Sequence, residues 1–167
     1  PVLRDVLLVG EHLGFDGDYD WGGHLDDQIR YGSSLGGTTE GFESAGSAYQ
    51  GFFRVETLYD RDAANQDWPP AELIGRLDSG VHIVNHVGHA DITSVMKLTN
   101  AEIDSLSNDV PFLAYSQSCY AGAFDNQRPS GEFGTDSVVE HLLTGPAGAA
   151  AFIANSRRGW ASTGMAD

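Results

Sequence analysis

The chain has a single cysteine, Cys119, and a single lysine, Lys97. One thiol excludes an internal disulfide and any zinc site built from several thiolates. Cations are scarce: 9 Lys and Arg stand against 24 Asp and Glu, a formal net charge of −15. That balance argues against a nucleic-acid partner, whose phosphates call for basic contacts, and against an anionic membrane surface. No apolar run approaches the ~20 residues that span a bilayer, so no membrane insertion is expected. No basic-then-apolar leader opens the chain, which begins at Pro1 and reads as a mature or excised fragment. The acidic bias fits a salt-adapted surface, calcium sites among the aspartates, or simple solubilisation.

The 167 residues are 41% hydrophobic, enough for one domain with a real core. Five short apolar segments read as buried strands: 5–10, 52–59, 81–87, 111–116 and 149–155. Helical stretches separate them at 23–32, 69–80, 99–107 and 135–144. Pro69-Pro70 opens the second helix in the favoured first-turn position, and Gly80 closes it. Thr99 and Glu102 have the spacing of a capping box for the third. Strands alternating with helices predict an α/β domain, a mostly parallel sheet flanked by helices on both faces. The Gly/Ser-rich stretch 33–48 is the longest loop candidate, an insertion or lid.

Open parallel sheets form their sites at the carboxyl ends of strands. Glu11 follows the first strand, His89 the third and Cys119 the fourth. A thiol is mostly protonated near neutral pH, so a nucleophilic cysteine needs a base. An imidazole can take the proton and pass it to a leaving amine, while a carboxylate on its other nitrogen fixes the tautomer. Backbone amides after His89 and around Cys119 are candidate oxyanion donors. The small residues Gly88, Ala121 and Gly122 leave room for an extended peptide.

"HIVNHVGHAD", followed by "FLAYSQSCYAGAFD" with Cys119 thirty residues after His89, resembles the gingipain family of cysteine peptidases, which share the caspase-like fold. "VGEHLG", "LYD" at 58–60 and "ANSRRGW" at 154–160 resemble further family segments, and the likeness runs from Leu7 to Trp160. The resemblance implies a cysteine endopeptidase with Cys119 as nucleophile, His89 as acid/base and Glu11 completing the catalytic set. It places Trp160 on the specificity pocket, and Gly88, Ala90, Ser118 and His24 against the substrate. It further implies a peptide or protein substrate, no required cofactor, calcium as an optional ion, and a secreted or cell-surface protein. Residues 1–167 would be a single catalytic subdomain of a longer parent. Ala90 departs from the glycine usual after the histidine of caspase-like enzymes. The aspartate of arginine-specific members has an ambiguous counterpart among Gly23, His24 and Asp26.

Other constellations are weaker. His82, His86 and His89 superficially resemble a zinc set, but on a strand His82 and His86 share one face and His89 does not. His86 is read instead as a packed or hydrogen-bonded neighbour of the site. Asp16, Asp18 and Asp20 have calcium-loop spacing without the glycine and glutamate of an EF-hand. A catalytically inactive binding or scaffolding module on the same fold is the alternative function. A flavodoxin-like phosphate-binding domain ranks third, because "GEHLGFDGDYD" is acidic. Arg157 and Arg158 near the pocket favour acidic substrate residues, and Asp26 or Asp27 basic ones; the carboxylates tip the expectation towards a basic residue before the cleaved bond.

Overall fold

The computed structural model describes residues 2–14, 21–33, 38–128 and 130–159. Its centre is a parallel sheet of β1 (Asp5–Gly10), β2 (Arg54–Tyr59), β3 (Ile83–Val87), β7 (Phe112–Gln117) and β8 (Ala149–Ala154), in the order β2-β1-β3-β7-β8. Helices α1 (Gly22–Tyr31), α2 (Pro70–Asp78), α3 (Asn100–Ile103) and α4 (Val138–Thr144) connect them. This is the expected α/β architecture.

Each helix begins where its sequence provides a start. Pro70 opens α2, and Gly80, at φ 99°, turns the chain after it. Thr99 and Glu102 form the reciprocal capping box of α3, and Ser137 with Glu140 repeats the device at α4. Each such cap contributes about 1 kcal/mol. α1 instead starts on Gly22 and Gly23, because it presses on the sheet edge. A Cβ on Gly22 would stand 2.1 Å from the Val87 carbonyl oxygen.

The main core lies on one face of the sheet. Leu73 and Leu77 of α2, Ile103 of α3, and Val138 and Leu142 of α4 pack on Leu7, Val9, Val84, Phe112 and Ala114. On the other face Val6, Leu8 and Tyr59 meet Phe42, Phe53, Val55 and Ile83, with α1 over β1 and β3. Among the described residues, helical cover there stops short of β7 and β8. Leu113, Tyr115 and Ile153, expected in fully buried strands, are 42%, 43% and 65% exposed.

The segment after β3 differs from expectation as well. Residues 90–99 fold into a small antiparallel meander of β4 (Ala90–Asp91), β5 (Ser94–Val95) and β6 (Leu98–Thr99). Met96 and Lys97 take positive φ at its second turn, while Val95, Met96 and Leu98 are wholly buried. The segment following His89 is therefore anchored in the core. Among the described residues, no helix is long and apolar enough to cross a membrane.

Candidate active site

Val87 and Gln117 are paired in register across β3 and β7. Gly88-His89 and Ser118-Cys119 thus leave adjacent strands at one level, with strand axes about 4.8 Å apart. Gly10, the last residue of β1, pairs with Val87 on the other side, so Glu11 emerges at the same edge. The three expected residues converge at one end of the sheet.

His89 is exposed, and its Nε2 lies 3.1 Å from the carbonyl oxygen of His12. A carbonyl only accepts, so Nε2 carries the proton and Nδ1 holds the free lone pair. The His12 loop is itself fixed: its N–H donates to Asp60 Oδ2 at 2.9 Å. Asp60 Oδ1 accepts from Lys97 Nζ at 2.6 Å and from the Trp68 N–H at 2.9 Å. Lys97 also lies over the Trp68 ring, 4.2 Å from its centroid. A pocket of about 580 Å³ opens beside His89, lined by Glu11, His12, Trp21, Asp60, Asp67 and Lys97 among others.

Glu11 does not take the expected place on the His89 ring. Its Oε2 accepts the His89 backbone N–H at 3.1 Å, and its Oε1 lies 2.9 Å from His86 Nε2. The side-chain direction of β3 explains this: His86 points into the main core beside the Glu11 carboxylate, while His89 lies beyond the strand. Burial works to raise the Glu11 carboxyl. Its interactions with His86, the hydrogen bond from the His89 amide and the Lys97 charge outweigh it and hold the group below the usual carboxylate range. Gly88 is required beneath this pair, because a Cβ there would stand 2.3 Å from His86 Nε2 and 2.6 Å from Glu11 Cδ.

The hydrogen bonds continue from His86 Nδ1 to Ser116 Oγ at 2.8 Å, and from Ser116 Oγ to Ser118 Oγ at 2.6 Å. Ser118, expected against the substrate, is buried and turns its hydroxyl inward. Gly88 is buried too, whereas Ala90 and His24 are half-buried. Cys119 is half-buried, its Sγ 3.8 Å from the Gly159 carbonyl oxygen. The turn carrying it is tied to the segment after β8. The Tyr120 N–H donates to Arg157 O at 2.9 Å, and Asn155 Nδ2 donates to Ser118 O at 2.8 Å. Tyr120 itself sits at φ 54°, so the chain bends sharply just past the thiol.

Of the charges expected at the specificity pocket, Asp26, Asp27 and Arg157 have other partners. Asp26 is fully buried and accepts a hydrogen bond from Asn85 Nδ2. Desolvation, with the Asp27 charge, drives its carboxyl well above the usual range, against the Asn85 bond and the Arg61 charge. Asp27 pairs with Arg61 at 2.6 Å, and Arg157 with Asp125 at 2.6 Å. Trp160 and the aspartates Asp16, Asp18 and Asp20 lie outside the described residues. The three histidines of the zinc-like motif have separate partners, His82 pairing with Asp5. Among the described residues no group of three or more His, Cys, Asp or Glu could hold a metal ion.

His12, Asp60 and Ser116 were not singled out by sequence as site residues. His12 acts through its carbonyl, which no residue type advertises. Asp60 stood within the noted "LYD" segment, its role visible only once β2 was placed beside β1.

A family model of Peptidase family C25 matches residues 2–167. The chain belongs to peptidase family C25. The fold agrees with two solved structures of low sequence identity. The crystal structure of the Arg-specific cysteine proteinase gingipain R superposes with a TM-score of 0.67 at 17% identity, covering 98% of this chain and 34% of that one. A structure described as that of a protease gives 0.60 at 21% identity, covering 95% and 30%. This C25 chain therefore spans about a third of the length of those chains. No curated protein sequence gives a match.

Proposed function

We propose that this chain carries the nucleophile and the base of a cysteine endopeptidase. The observation that supports this reading most is the shared level of the two strand ends. The Val87–Gln117 register ends β3 and β7 at one level, which supports His89 and Cys119 serving one substrate, and the His12 carbonyl on Nε2 leaves Nδ1 of His89 for the role of base.

In the proposed reaction His89 Nδ1 takes the Cys119 proton, and the thiolate attacks the scissile carbonyl carbon. The resulting oxyanion needs donors. The His89 and Tyr120 amides are already bonded to Glu11 and Arg157, so the proposal gives the Cys119 N–H that role. The imidazolium returns its proton to the leaving amine, which departs as the carbonyl reforms in a thioester. Water, deprotonated by His89, then releases the acid and restores the thiol. The Glu11 carboxylate contributes by holding the His89 backbone N–H, which fixes the strand end that carries the base.

The substrate class is peptide or protein, and a location outside the cell or at its surface accords with the gingipain likeness. The arginine specificity of gingipain R is not carried over, since Asp26 is buried and Asp27 is paired. The test is hydrolysis of quenched peptide libraries by the wild type and by Cys119→Ala. Loss of at least about 10³-fold in kcat, with the fold intact, supports the assignment. Equal hydrolysis by the variant overturns it. Peptide binding without turnover by the wild type would favour the inactive binding module, a reading motivated by Ala90.

A further inference from the structure

Four polar side chains occupy the interior beneath the site: Glu11, His86, Ser116 and Ser118 are 4%, 0%, 1% and 3% exposed. Buried polar groups are costly unless satisfied, and a partly satisfied set is worse than an apolar one. One assignment of the protons, with a neutral imidazole, satisfies the whole set. Ionised Glu11 accepts from His86 Nε2–H, leaving Nδ1 to accept from the Ser116 hydroxyl, whose oxygen accepts from Ser118. The line crosses three strand ends, β1, β3 and β7. One end grips the His89 amide. The other is the residue immediately before Cys119.

We propose that His86 is a positioning residue: through the line Glu11–His86–Ser116–Ser118 it sets the spacing between the backbones that carry His89 and Cys119. The proposal rests on the cysteine-peptidase reading for its kinetic consequence, though not for its geometry. An apolar filler at His86 would preserve packing while letting the two turns move independently. Reaction needs reacting atoms held at near-contact distance, and a misplacement of about 1 Å costs up to about 10²-fold. Gly88 fits the same account, since its missing Cβ is what lets His86 and Glu11 meet.

The test is a double-mutant cycle in the full chain with His86→Gln, Ser116→Ala and the double variant, assayed well below their melting temperatures. Glutamine places an amide donor where Nε2 stood, keeping the Glu11 arm and cutting the Ser116 arm. Each single variant should lower kcat about tenfold, with KM within about twofold. The double variant should be no worse than either single one, because the line is already cut. Additive losses, unchanged kcat, or losses that appear only as lower Tm would overturn the proposal. Hydrogen exchange of the His89 amide supplies a readout independent of turnover. It should stay slow in His86→Gln and quicken in His86→Ala; equal rates in both overturn the positioning role. A wild type without turnover sinks the peptidase reading alone, and the exchange rates then decide the proposal.

Discussion

The Nε2 atom of His89 faces the carbonyl oxygen of His12 at 3.1 Å, and the Glu11 carboxylate meets only the backbone of the same histidine. A neutral main-chain acceptor thus orients the ring, while a buried carboxylate fixes its strand end. The division has a spectroscopic consequence. At a pH where the imidazole is neutral, long-range 1H–15N correlation should show His89 as the Nε2–H tautomer. The Nδ1–H tautomer would mean that the His12 contact does not hold in solution.

Gly88→Ala should be strongly felt for its size. Its Cβ would press on His86 Nε2 and Glu11, both buried and unable to move aside. Overpacking of this kind costs roughly 1–3 kcal/mol, and each kcal/mol is about 2–4 °C of Tm at this chain length. A thermal melt checks it. A variant melting with the wild type would show that the close approach is slack.

Glu11 and Asp26 should oppose each other in pH dependence. The folded Glu11 pKa lies below its ordinary value near 4.5, so its stabilisation is present above that pH and fades as pH falls through the folded value. Glu11→Gln should therefore be least stable relative to wild type near neutrality, the gap closing in acid. Asp26 is raised well above 3.8. The native state holds a proton there that the unfolded chain has lost, so stability falls as pH rises above about 4. Asp26→Asn keeps the Asn85 bond and removes the ionisation. Its Tm should exceed wild type at pH 7 and converge with it near pH 3.5. A lower Tm at pH 7 would mean that the buried carboxylate is needed as a charge.

The strands of the main sheet, the capping box of α3 and the convergence of Glu11, His89 and Cys119 at one sheet end were legible because period, caps and strand ends are local signals. The partner of Glu11 was not. Which histidine meets it depends on the β1–β3 register and on Gly88 lacking a side chain, neither a local property. The meander at 90–99 escaped because its strands are two residues long. Exposure of Leu113, Tyr115 and Ile153 depends on how far α1 reaches across the sheet, which their own apolar character does not tell.

The central claim, that Cys119 is a nucleophile activated by His89, is tested most directly by a peptidyl chloromethyl ketone or epoxide with the adduct mapped by mass spectrometry. The account predicts one adduct, on Cys119, formed far more slowly in His89→Ala. A folded chain that takes no adduct, or labels at the same rate without His89, would contradict it.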